Sequence, residues 1–379
     1  MKHKAILLLL CSSWLNIFTP AYSFMSARSG RGKTQPALSF MGSQAVTRGA
    51  FITTASLASL SLSLSKATGM NNEAVLSSIA SSQDIALGDV AVVGCGVLGT
   101  SFCRQLLNLR KETNPNLFES LTGITKSTSR HSYILNELEH PDKFNLSTLE
   151  DIFLSKKRFK NLVFCAPPSG SEDYASDVRQ VITQLWEGPE GGGLFVFTSS
   201  GGIFGMGDGD VVTETSPVDE SSPRSVKLIS AETEVLGKSG TVLRLAGLYT
   251  LQRGAHGYWF SDKTAGKEIQ GPADGIINLL HYDDAAAACI AAIVQGSYAA
   301  DTIQKQIFLI SDGNPTTRQG ICESSKKHPL FAIKAMPKFS ATSDNKGKIY
   351  DGSHSNRVLK WVPKYPSFDK FMATTLEGR

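Results

Sequence analysis

The stretch "DVAVVGCGVLGTSFCRQLLNLR", residues 89 to 110, constrains the chain more than any other. It reads as a buried apolar strand, a Gly-rich turn and an amphipathic helix, with Gly94, Gly96 and Gly99 in GxGxxG spacing. Glycines so placed permit a tight turn, bring a pyrophosphate close to backbone amides and let the helix pack on the strand, while the helix N-terminus attracts the anion. The expected dinucleotide contacts here are Gly94, Gly96, Val97, Leu98 and Gly99.

The same grammar then repeats. "ESLTGIT", "NLVFCAPP" and "GLFVFTSS" read as strands, with helical patterns at 147 to 158 and 171 to 187 between them. Such alternation predicts an α/β fold, a Rossmann-type doubly wound parallel sheet with helices on both faces and ligands at the carboxyl ends of the strands. Those ends are Thr125, Ala166 and Ser199, which adds Thr125, Ala166, Pro167 and Ser199 to the expected cofactor contacts. Glu119 lies 20 residues after Gly99 but falls at the wrong end of its strand to bind a ribose. The ribose end reads "TKSTSRH", where Lys126, Ser127 and Arg130 suit a 2′-phosphate. NADP is therefore the expected cofactor, with NAD as the alternative; a solvated basic loop is the plainer reading.

Ahead of this body stands an address. Residues 1 to 23 have the plan of a secretory signal: Lys2 and Lys4, a short apolar run, then small residues before Phe24. Residues 24 to 70 are rich in Ser and carry Arg but no acid, the composition of a transit peptide and linker. Together they resemble the bipartite leaders of algae with complex plastids, which implies the plastid stroma. Residues 47 to 67 also read as a lumen-transfer segment with only Arg48 of an arginine pair, so the thylakoid lumen is the alternative.

The first acidic residue is Glu73, and seven basic residues precede it. Of 38 basic residues 31 remain after that point, against 34 acidic ones, so the body carries a net charge of −3. That balance gives no support to a nucleic-acid-binding body. Beyond the signal, five cysteines remain: Cys95, Cys103, Cys165, Cys289 and Cys322. They show no Cys-x-x-Cys spacing and no zinc-type clustering, so neither a metal nor a disulfide framework is expected. Most lie on apolar patterns, and a reducing compartment fits them.

Further along, "TSSGGIFG", "SGTVLRLAGLYTLQRG", "INLLHYDDAAAACIAAI", "FLISDGNPTTRQGI" and "GKIYDGSHSNRVLKWVPKYPSF" resemble successive segments of the extended short-chain dehydrogenase/reductase family, the NAD-dependent epimerase/dehydratase group. The resemblance runs from about Asp89 to about Met372. It implies a Rossmann domain over 71 to 246 and a smaller substrate-side region over 247 to 379, with 276 to 310 returning to the Rossmann core. It also implies a small-molecule substrate such as a carbohydrate or nucleotide-sugar, and, by analogy, a homodimer.

In that family a Ser or Thr binds the substrate oxygen, a Tyr transfers its proton, and a Lys lowers the tyrosine's pKa. Ser200 occupies the first position, Arg224 falls at the Tyr position and Leu228 at the Lys position. Arginine stays protonated at any accessible pH and cannot shuttle a proton. Lys227 is one helical step away, which turns its side chain by about 100°. Arg224 is expected either to pair with Glu214 or Glu220 or to clamp an anionic ligand.

The catalytic candidates are Ser200, Arg224 and Tyr249, with Tyr174 a weaker acid. The plainer readings are that Ser200 satisfies backbone groups and that Tyr249 closes the core. His281 and Asp284 read as a packed residue and a helix cap. The expected function is an NAD(P)-binding oxidoreductase or epimerase of the plastid without the usual Tyr-Lys pair. The alternative is a catalytically silent nucleotide-binding scaffold, assembly or RNA-associated factor.

Overall fold

A computed structural model describes residues 85–264, 267–340 and 346–374. The signal, transit and lumen-transfer segments lie outside the described residues.

Seven strands form one parallel sheet: β1 (Asp89–Val93), β2 (Ser120–Thr125), β3 (Phe144–Thr148), β4 (Asn161–Phe164), β5 (Phe195–Ser200), β6 (Thr241–Leu245) and β7 (Ile307–Ile310). Their order is β7-β6-β5-β4-β1-β2-β3. The order reverses between β1 and β4, the place where a doubly wound sheet opens a crevice at its carboxyl edge. β4 and β6 are buried along their whole length, and only Asp89 of β1 is partly exposed, because helices cover both faces.

The principal helices are α1 (Val97–Glu112), α2 (His131–Glu137), α3 (Leu149–Ser155), α4 (Tyr174–Leu185), α5 (Pro223–Gly237) and α6 (Tyr282–Tyr298). α1 and α6 pack together on one face of the sheet, and α4 and α5 on the other. A core lies under each pair. α6 is buried from Asp284 to Gln295, and its run of four alanines, Ala285 to Ala288, carries little bulk between it and its neighbours. The chain then returns to the sheet as β7, which pairs with β6 at its edge.

Strands form within the expected stretches 119–125 and 193–200, the one expected over 161–168 ends at Phe164, and the helical patterns become α3 and α4. β3 had no counterpart in the sequence reading. Its residues Phe144–Thr148 sit at the sheet's edge and bury fully only Phe144. An edge strand lacks the continuous apolar run that marks a central one.

Short helices, among them Arg318–Lys326 and Phe368–Thr374, small strand pairs and loops make up the rest of the described residues. Gly247–Tyr249 pairs with Leu279–His281, and Asp210–Val212 pairs with Lys348–Tyr350, both in parallel. A third core joins Tyr249, Trp259, Phe260, Phe331, Phe368, Phe371 and Met372. No described helix is long and apolar enough to cross a membrane.

Candidate functional site

The Gly-rich turn leaves β1 at the switch point and enters α1 at Gly96, and its three glycines do three different things. Gly94 has φ +91°, and a Cβ there would stand 2.6 Å from Ala166 Cα. Gly94 is thus glycine both for its left-handed backbone and for the passage of the β4 loop. At Gly99 a Cβ would meet Gly94 O at 2.7 Å, so this glycine seats the helix on the turn. At Gly96 the nearest atom would be Gly94 O at 3.9 Å, so the space above it is open.

α1 begins with no side-chain cap at Gly96 and no acid in its first turn. The amides of Val97, Leu98 and Gly99 belong to the first turn, where a helix has no carbonyl of its own to offer them. An uncapped helix start beneath an open glycine suits an anion. Cys165 N donates to Val93 O at 2.9 Å, which holds Ala166 and Pro167 beside the turn.

At the next strand end, Thr125 is paired with Thr148 in register, so Lys126 and Leu149 are neighbours. Lys126 lines a pocket of about 370 Å³ with Leu149, Glu150, Phe153 and Leu154. Thr125 Oγ1 is engaged within the loop, 2.7 Å from His131 Nε2 and 2.9 Å from Ser127 O. Ser127 Oγ lies 3.0 Å from Ser129 Oγ, and Lys126 and Ser127 are exposed. Glu119 precedes β2 and its amide donates to Gly88 O, at the amino end of the sheet.

At β5 the two serines diverge. Ser199 Oγ donates to Glu232 Oε1 at 2.5 Å, and Arg244 Nη2 donates to Glu232 Oε2 at 2.8 Å. All three residues are buried, so the hydroxyl of Ser199 serves this buried ion pair, not the cofactor crevice where it was expected. Strand alternation turns Ser200 to the opposite side. Its Oγ accepts from Gly202 N at 3.1 Å and caps the short turn Gly201–Ile203.

Arg224 is exposed in the first turn of α5, which packs on that turn, and it pairs with no acid among the described residues. Glu214 instead receives the Ser355 hydroxyl and amide. Leu228 is 4% exposed in the apolar core between α5 and the sheet. Lys227 donates from Nζ to Ser171 O at 2.9 Å, in the loop after β4.

Tyr249 is fully buried. Its ring stands edge-on to His281, Phe368 and Phe371 at 5.0–5.3 Å, and its hydroxyl has no hydrogen-bond partner among the described residues. Burial, with Asp312 and Asp284 nearby, pushes its pKa far up. This is the core-closing role, with no surface for a substrate to reach. Tyr174 is likewise buried, and its hydroxyl donates to Ala166 O at 2.7 Å, bracing the loop beside Gly94.

His281, not Asp284, caps α6: its Nδ1 accepts from Asp283 N at 3.1 Å. Asp284 reaches across the fold and accepts from Lys364 N at 2.6 Å and Tyr365 N at 3.0 Å.

Two residues beside Ser200 escaped the sequence reading. Tyr350 lies across Gly201, where a Cβ would stand 2.8 Å from its ring carbon Cζ. Lys348 donates from Nζ to Phe204 O, and burial lowers its pKa. Both arrive through the strand pair with Asp210–Val212, a contact across more than 130 residues that no local pattern reveals. Among the described residues, no group of three or more His, Cys, Asp or Glu is placed to hold a metal ion.

No family model and no curated protein matches the sequence. Solved structures do match the fold. A dTDP-glucose 4,6-dehydratase from Bacillus anthracis in complex with NAD aligns over 76% of this chain and 95% of its own, with TM-score 0.59 and 14% identity. A UDP-glucuronic acid 4-epimerase from Bacillus cereus, in complex with UDP-glucuronic acid and NAD, aligns over 75% and 96%, with TM-score 0.55 and 16% identity. Gre2 from Candida albicans, in complex with NADPH, aligns over 76% and 97%, with TM-score 0.56 and 15% identity. The chain shares with these structures a Rossmann-like α/β fold, a parallel sheet with helices on both faces.

Proposed function

We propose that this protein binds a nicotinamide dinucleotide in the crevice between β1 and β4 and acts as an oxidoreductase or epimerase on a small molecule. The observation that carries the proposal is the glycine set: two glycines are forced by the protein's own packing, and Gly96 is not. An open glycine at an uncapped helix start is accounted for by a ligand pressed against it. When bound, the nicotinamide ring supplies hydride exchange.

Val97, Leu98 and Gly99 would present their amides to the pyrophosphate. Lys126 and Ser127 would sit at the ribose, and the pocket beside Leu149 and Phe153 offers an apolar wall. NADP is the proposed form because Lys126 is exposed at that end; Glu150 in the same pocket opposes a phosphate, which makes the NADPH-to-NADH ratio a direct reading of which charge prevails.

Ser200 would orient the substrate oxygen. Arg224, unpaired by any described acid, would bind an anionic substrate group and does not itself move the proton. The absence of the Tyr-Lys pair follows from placing Arg224 and buried Leu228 at those two positions. Because the similar structures include enzymes of nucleotide-sugars, such a substrate is the first to try. The acidic body speaks against RNA. Homodimerisation stays an analogy to test by light scattering, and the leader's composition supports the plastid stroma, with the lumen as alternative.

The second reading, a silent nucleotide-binding scaffold, draws on Leu228. A buried apolar residue where a lysine would hold the ribose leaves the catalytic half without its usual cation. Hydride transfer monitored at the nicotinamide absorbance with aldehydes and ketones, together with chromatographic analysis of nucleotide-sugars for epimerised or dehydrated product, separates the two. Turnover that falls on Ser200→Ala establishes the enzyme; tight cofactor binding with no turnover across the panel establishes the scaffold.

A further inference from the structure

Three of the large apolar side chains exposed among the described residues, Leu330, Ile333 and Met336, fall within one short stretch, "PLFAIKAMP", residues 329 to 337. Ile333 is 94% exposed, the most open of them all. Pro329, Ala332 and Ala335 are exposed between them. A single exposed leucine needs no explanation; a cluster of this kind does.

The stretch is held out firmly. Phe331 is its buried anchor, with its ring 5.5 Å from that of Phe260 and 5.4 Å from that of His256. Lys334 Nζ donates to Phe260 O at 2.8 Å and ties down the far side. The backbone is closed on itself. Leu330 N donates to His328 Nδ1 at 3.2 Å, Phe331 N and Ala332 N donate to His328 O, and Lys334 N donates to Phe331 O. Lys326 Nζ reaches over to donate to the carbonyls of Ala332 and Lys334. A segment that leaves water must carry its hydrogen-bond partners with it, and this one does.

The charge around the apolar cluster has one sign. From Ser324 to Ser340 there are four lysines, Lys326, Lys327, Lys334 and Lys338, and no acid. Glu323, just before, receives the Gln319 amide one helical turn back. Asp369 pairs with Lys327, and Glu268 stands opposite Lys338 in a short strand pair with Lys267 next to it. Lysine is therefore in surplus here, on a body whose net charge is −3.

We propose that residues 326–338 dock the protein on an anionic lipid surface, with Leu330, Ile333 and Met336 entering the headgroup region and the lysines meeting the anionic headgroups around them. The proposal is independent of the cofactor reading. Lipid is the occupant because Ile333 stands clear of its neighbours. A folded partner would need a hollow shaped to receive it, whereas lipid closes around any protruding apolar side chain, and the surplus of lysine selects an anionic surface.

The test reads position 333 itself, because the basic leader gives the full chain a second route to an anionic surface. Full-length Ile333→Trp is mixed with vesicles of equal parts phosphatidylglycerol and dibrominated phosphatidylcholine, whose bromines quench a tryptophan lodged among the acyl chains. The wild-type chain is the blank for its own tryptophans, and Tyr298→Trp, at another exposed position, is the control. Met336→Trp gives the same reading if Ile333→Trp does not fold.

The expected result is a blue shift and quenching at position 333 and neither at position 298. Both signals disappear on vesicles of phosphatidylcholine alone and weaken at high salt. Adding Lys338→Glu is expected to weaken the vesicle affinity read in this way about tenfold, and Leu330→Ser with Met336→Ser about tenfold or more.

A tryptophan at 333 that stays unquenched, whether or not the chain sediments with the vesicles, would overturn the proposal. Equal quenching at position 298, or quenching undiminished on phosphatidylcholine alone, would do the same. So would light scattering that shows the wild-type chain as a dimer and Ile333→Asp as a monomer, since the cluster would then belong to a second copy.

Discussion

A methyl group added at Gly94 and one added at Gly96 meet different surroundings. The first would stand 2.6 Å from Ala166 Cα on a backbone with φ +91°; the second would meet nothing closer than 3.9 Å. Gly94→Ala is therefore expected to destabilise the protein by about 2–5 kcal/mol in urea unfolding, combining backbone strain with overpacking. Gly96→Leu is expected to shift stability by less than about 1 kcal/mol, because it fills open space, while lowering dinucleotide affinity about a hundredfold or more. Equal loss of stability in both variants would remove the distinction. The glycine spacing was legible in the sequence; which glycine is left open was not, because that depends on the β4 loop passing over Gly94. Ser199 and Tyr249 show the same limit. Neighbouring serines at a strand end look alike until a buried Glu232 claims one of them, and Tyr249 is closed in by Phe368 and Phe371, well over 100 residues away.

At the level of elements, the alternation of strand and helix was readable because the central strands are buried on both faces and so are continuously apolar. The edge strand β3 and the two- and three-residue pairs of the carboxyl edge were not, since they are too short or too exposed to show a period. One of those short pairs carries Tyr350 to Gly201 and Lys348 to Phe204, so the unreadable part of the fold is the part that closes around the turn after Ser200. α5 is held to β5 and β6 by the buried pair of Glu232 and Arg244, with Ser199 on the third side. Removing one partner leaves an uncompensated buried charge. Arg244→Met is expected to cost about 3–5 kcal/mol by chemical denaturation, and Arg244→Met with Glu232→Leu less than the single change. A single variant within about 0.5 kcal/mol of wild type would show that the pair holds nothing together.

On the scale of the whole molecule, the C-terminal segment is tied back to α6 by one carboxylate. Asp284 receives two amides from Lys364 and Tyr365, and burial raises its pKa to about 7 from 3.8. An acid whose folded pKa is raised contributes stability at pH below about 4 and loses it as pH rises to about 7. Beside it, burial lowers the pKa of His281 to about 4 from 6.5, which has the opposite sign: its contribution is present above pH 6.5 and lost as pH falls toward 4. The two slopes oppose each other between those limits. Asp284→Asn leaves the His281 slope uncancelled, so the variant is expected to gain stability more steeply than wild type from pH 4.5 to 6.5 in urea titrations. Parallel curves would contradict the assignment.

The central claim is that the crevice between β1 and β4 takes a nicotinamide dinucleotide, and titration of the purified protein with NADPH and NADH by calorimetry tests it most directly. The account predicts saturable one-to-one binding, tighter for NADPH, with the preference lost in Lys126→Asp and binding itself lost in Gly96→Leu. Absence of binding for both nucleotides, or binding that Gly96→Leu leaves intact, would contradict it.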